Sequence, residues 1–81
     1  MKETKEEILE KVSKIIATKL GIEREEVKPE SFIINLGADS LETVDISNEV
    51  EKEFGINFDD KEVGDLKSIN DIILLVLEKT E

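Results

Sequence analysis

Apolar residues return every three or four positions in three separate stretches of this chain, and that rhythm restricts it to packed helices. Ile8, Val12, Ile15, Ile16 and Leu20 fall on one side of a helix, and Leu9 widens the stripe. Thr4 and Glu7 have capping-box spacing and Gly21 is a natural stop, so a helix is expected over 4–20. The second stretch runs from Asp39 to Phe54. Asp39 is a good N-cap, Glu42 stands three residues on, and Ile46, Val50 and Phe54 share one face beside Thr43 and Ser47. Gly55 ends it. The third runs from Ser68 to about Lys79. Ser68 and Asp71 pair as a cap, Ile69, Ile72, Ile73, Val76 and Leu77 form the stripe, and Leu74 and Leu75 broaden it.

The connections read differently. Residues 22–38 hold no long period, and Pro29 breaks any helix there. A loop of that length in a small domain is usually functional or pinned by its own side chains. Ile22, Val27, Phe32, Ile34 and Leu36 are the expected anchors. Residues 56–67 contain Ile56, Phe58, Val63 and Leu66, and Asp59 or Asp60 can cap a short helix near 60–64. No strand alternation, internal repeat or low-complexity linker is present. The expected fold is all-α, a small antiparallel-type bundle of three longer helices plus one short helix. The 81 residues allow one domain, over 1–81.

What is missing narrows the function. With neither cysteine nor histidine there is no disulfide, no Cys/His metal site, no imidazole base and no protein thiol. The glycines do not make a P-loop or a dinucleotide fingerprint, and Asp59 to Asp65 does not match EF-hand spacing. Neither independent catalysis nor a specific metal site is expected. There are 21 acidic residues against 11 basic ones, a formal charge of −10. That opposes binding to nucleic acid or an anionic membrane surface. It suits docking on basic patches of a partner, and it equally suits plain solubility. No apolar run approaches the roughly 20 residues that span a bilayer, and the N-terminus is charged from Lys2 onward, unlike a signal peptide. A cytoplasmic monomer is the expectation.

The informative segment is Leu36-Gly37-Ala38-Asp39-Ser40-Leu41. Gly37 permits a tight turn into the second helix and Asp39 caps it, leaving the Ser40 hydroxyl at the loop–helix junction. Unpaired amides and the positive end of the helix dipole favour an anion there. Asp-Ser also starts many ordinary helices, and on these two residues alone that plain reading is the better one. With Ile46, Val50 and Phe54 inward, Leu41, Val44, Asp45 and Asn48 point outward, with Glu42, Asp45 and Glu49 as an acidic flank. Such a face suits a basic, partly apolar partner, or is simply solvated.

This segment resembles the phosphopantetheine attachment motif of bacterial acyl carrier proteins. The resemblance extends to the chain's length and acidity, to Ser31-Phe32 upstream, to Val44-Asp45 downstream and to Glu53-Phe54-Gly55-Ile56. It implies that a carrier-protein synthase (a phosphopantetheinyl transferase) transfers 4′-phosphopantetheine from coenzyme A to Ser40, flanked by Asp39 and Leu41. It implies acyl cargo held as thioesters and docking on basic patches of fatty-acid synthesis enzymes through Leu41, Glu42, Val44, Asp45, Asn48 and Glu49. Ile46-Ser47-Asn48-Glu49 is more polar than the family's usual mid-helix run, and Ile34-Asn35 stands where acidic residues usually precede Leu36-Gly37. These departures are compatible with a specialised or polyketide-type carrier. An unmodified acidic helical interaction domain is the alternative of another class. Ser47, placed at the edge of the core, is expected to back-bond to the carbonyl four residues earlier.

Overall fold

A computed structural model describes residues 3–80. Four helices form: α1 (Lys5–Leu20), α2 (Ser40–Phe54), α3 (Asp60–Asp65) and α4 (Ile69–Thr80), with single 3₁₀ turns at Arg24–Glu26 and Ile34–Leu36. Each α-helix begins where the expected cap stands. Thr4 and Glu7 exchange side-chain-to-amide bonds ahead of α1, and Asp59, rather than Asp60, does the same with Glu62 ahead of α3. At α4, the Ser68 amide donates to Asp71 Oδ2 at 3.0 Å, and the Asp71 amide donates back to Ser68 Oγ at 3.1 Å.

Three stripes meet in one core. Ile8, Val12 and Ile16 of α1 are fully buried, as are Ile46 and Val50 of α2 and Ile69, Ile72, Ile73 and Val76 of α4. α1 packs against both α2 and α4, and α3 leans on α2. Burial of aliphatic surface is the main stabilising force in a chain without staples. Phe54, Leu77 and Ile15 are only half-buried. Phe54 lies at the edge of the core, where the Lys11 ammonium sits 5.6 Å from its ring centre and approaches Glu53 at 3.9 Å. Ser47 is buried, and its hydroxyl donates to the Thr43 carbonyl at 2.9 Å, the expected back-bond.

The 22–38 connection is pinned, but not by all the expected anchors. Val27, Ile33 and Ala38 are the buried ones, while Phe32 is 52% and Ile34 76% exposed. The cause is a backbone pairing with the start of α4. Ile33 N–H donates to the Lys67 carbonyl at 2.9 Å, Ile69 N–H to Ser31 at 3.0 Å and Asn70 N–H to Pro29 at 2.9 Å, with Phe32 opposite Ser68 as an isolated antiparallel bridge. Ile33 itself adopts helical dihedrals, φ −56° and ψ −43°, at the head of the 3₁₀ turn, and its side chain is buried while those of Phe32 before it and Ile34 after it stay exposed. On the other side of α2, the Phe58 amide donates to Glu51 Oε2 at 2.6 Å and ties the approach to α3 back onto α2. Lys79 of α4 meets Glu62 of α3 at 2.9 Å. Among the described residues no helix is long and apolar enough to cross a membrane.

Candidate functional site

The site grows from the turn that ends the long connection. Gly37 closes the 3₁₀ turn with its amide donating to the Ile34 carbonyl at 3.1 Å, and it adopts φ 101°, ψ 6°. A Cβ there would meet no atom within 4 Å, so the constraint is the dihedral itself, which L side chains rarely adopt. Ala38 is buried beside it and anchors the turn. Asp39 is then extended, and its Oδ1 accepts from the Glu42 amide at 2.8 Å while Glu42 Oε1 accepts from the Asp39 amide at 3.1 Å. Thr43 Oγ1 adds a bond to the Asp39 carbonyl at 2.9 Å.

Ser40 is the first residue of α2 and is exposed. Among the described residues its hydroxyl has no hydrogen-bond partner, and the amides of Ser40 and Leu41 find no acceptor. A hydroxyl without a partner beside two amides without acceptors, at the positive end of a 15-residue helix, suits a phosphate ester. Ser40 also lines an open groove of about 910 Å³. Phe32, Ile34, Val44, Val63 and Leu66 supply its apolar lining, and Lys67 is its only basic residue among those described. Such a trough fits a flexible arm with a partly apolar load.

The outward face of α2 is as expected in part. Leu41 is 78% and Val44 45% exposed, and Asp45 and Asn48 are open to solvent. Glu42 and Glu49 are half-buried. Glu42 is drawn in by its capping role, and Glu49 lies 3.9 Å from Lys52 on the same helix. The two groups therefore differ: Asp45 is a free carboxylate among the described residues, whereas Glu42 also holds the helix start.

Phe32, Ile34, Val63 and Lys67 join Ser40 at the groove without having been singled out from the sequence as site residues. Ile34 had a signal, since it is an apolar residue in a position where acidic residues are usual. Lys67 had none, because it reaches the site through the pairing of its carbonyl with Ile33. Behind it, Asp71 accepts from the amides of Ser68 and Lys67, and these bonds hold its carboxyl below the usual range.

Charge is distributed unevenly around this site. Residues 1–28 hold seven acidic and seven basic side chains, whereas residues 29–81 hold fourteen acidic and four basic ones. The whole excess therefore lies in the part that carries α2, α3 and α4.

Comparison with known proteins agrees with this geometry. Residues 10–76 match the family described as "Phosphopantetheine attachment site". The chain is 45% identical over 71 residues to an acyl carrier protein of Nitratidesulfovibrio vulgaris, covering 86% of this chain and 93% of the relative. It is 39% identical over 77 residues to one of Thermotoga maritima, covering 94% and 95%. A crystal structure described as an acyl carrier protein from Thermotoga maritima superposes with a TM-score of 0.82 at 28% identity, covering 93% of this chain and 88% of that one.

Proposed function

Because the chain belongs to the phosphopantetheine-attachment family of acyl carrier proteins, a group of carriers rather than catalysts, we propose that Ser40 Oγ is its attachment point and that residues 1–81 act as one carrier domain. The observation that carries this reading is the exposed, unpartnered Ser40 hydroxyl at the first turn of α2, lining an apolar groove. The arm supplies a thiol for acyl cargo, the group that a chain without cysteine lacks. The protein's own residues do the rest. Asp39 fixes the helix start and so places Ser40 in the first turn, where unpaired amides at the positive end of the helix favour a phosphate. Leu41, Val44, Asp45 and Asn48, with Glu42 and Glu49 at the flank, present an apolar and acidic face to a synthase and to acyl-processing enzymes with basic patches.

Fatty-acid synthesis in the cytoplasm is the setting proposed, with the carrier working as a monomer. A second reading, a specialised or polyketide-type carrier, is favoured by exposed Ile34 and Asn48, which alter the docking face. Intact mass after incubation with coenzyme A, Mg²⁺ and a carrier-protein synthase tests the attachment. One phosphopantetheine should be gained by the protein and none by Ser40→Ala. A protein that gains no mass would instead be an acidic interaction domain. The cargo on carrier isolated from cells separates the two pathways.

A further inference from the structure

We propose that Lys67 is a phosphate-pairing residue, whose ammonium binds the phosphodiester formed on Ser40 and holds the arm toward the α3 side of the groove. The inference rests on Ser40 being the attachment point and asks what this chain does with the charge that attachment brings. A phosphodiester on Ser40 adds a negative charge beside Asp39, Glu42 and Asp45, in the part of the chain where acids outnumber bases fourteen to four. Like charges at that spacing repel unless a cation is at hand. Lys67 is the only basic residue among the described residues lining the groove that Ser40 also lines.

Its placement is fixed from both sides. The Lys67 carbonyl accepts from the Ile33 amide at 2.9 Å and its own amide donates to Asp71 Oδ2 at 3.0 Å. These bonds hold the backbone at the groove wall and leave the exposed side chain free to swing. Its ammonium forms no ion pair among the described residues. Asp71, the nearby carboxylate, takes the amides of both Lys67 and Ser68 on one oxygen. The other basic residues of this acidic part are committed or distant from the groove: Lys79 to Glu62, Lys61 to Asp65 and Lys52 to Glu49.

The test compares unmodified and arm-bearing protein by NMR. The protein, Lys67→Ala, Lys67→Gln and Lys67→Arg are each loaded by a carrier-protein synthase, and intact mass confirms the arm. Loading should shift the Lys67 side-chain resonances. The ³¹P resonance of the phosphodiester should move in Lys67→Ala and Lys67→Gln and return toward the original position in Lys67→Arg. Both effects should fade at about 1 M salt, where screening acts within about 3 Å. A loaded protein whose Lys67 resonances stay put, with the same ³¹P position in all four proteins, overturns the pairing while leaving attachment at Ser40 intact. If the protein gains no mass at all, the pairing and the attachment fall together. Circular dichroism of each variant separates a lost contact from a lost fold, because the substitutions leave both backbone bonds of residue 67 available.

Discussion

Asp39 and Glu42 exchange hydrogen bonds across the first turn of α2, each side chain accepting from the other's amide, at 2.8 and 3.1 Å. This reciprocal cap sets the helix start at Ser40, with Asp39 as the N-cap. Asp39→Ala should cost about 1 kcal/mol in a denaturant melt, the usual loss for an N-cap. It should also slow loading by the synthase, because the first turn frays. Glu42 has two duties, so its charge reversal mixes docking with stability. Asp45, exposed and without a partner among the described residues, is the cleaner probe: Asp45→Lys should reduce partner turnover at nearly unchanged melting temperature.

Exposed and buried apolar residues should separate sharply. Leu41→Ala is expected to change stability by under about 0.5 kcal/mol, as surface substitutions usually do, yet to weaken turnover by partner enzymes. Ile72 is 1% exposed in the core, and Ile72→Ala should cost about 2–5 kcal/mol through lost burial and the cavity it leaves. Chemical denaturation of both variants, set beside steady-state rates with one partner enzyme, checks the contrast.

Asp71 gives stability a defined acid limb. Two backbone amides, of Ser68 first and then Lys67, stabilise its ionised form and lower its pKa from the ordinary 3.8. A lowered pKa in the folded state means that the contribution is fully present above the ordinary value and is lost as pH falls through the folded one. Asp71→Asn should therefore be less stable than the parent at neutral pH, and the gap should close below about pH 4. Urea melts of the pair between neutral pH and pH 2 measure it.

Net charge predicts a response to salt. With a formal charge of −10 on 81 residues, self-repulsion opposes compaction. Added sodium chloride should raise the melting temperature as the screening length falls from about 10 Å at 0.1 M to about 3 Å at 1 M. A melting temperature flat across that range would contradict this account.

The helices and their caps were legible because their causes are local. Thr4 with Glu7, Asp39 with Glu42 and Ser68 with Asp71 lie three residues apart, and the isoleucine stripes repeat within a turn or two. Ser47 could be read for the same reason, its acceptor being one turn away. What the sequence concealed depends on distant partners. Whether Ile33 or Ile34 enters the core is decided by hydrogen bonding between residues 29–33 and Lys67, Ile69 and Asn70, more than thirty residues along the chain. A single bridge at Phe32 followed at once by a 3₁₀ turn from Ile34 leaves no period to count. Glu51 reads as one more surface acid on α2, although it accepts from Phe58 beyond the helix end. The Ser40 position was readable from its motif, while the groove walls from Val63 to Lys67 required the fold.

The division of charge between residues 1–28 and the remainder has a mechanical consequence. A small body with an electrically balanced segment and a strongly anionic one experiences a torque in the field of a cationic surface, as well as a pull. It will rotate during approach, so the collisions it makes are already sorted by orientation.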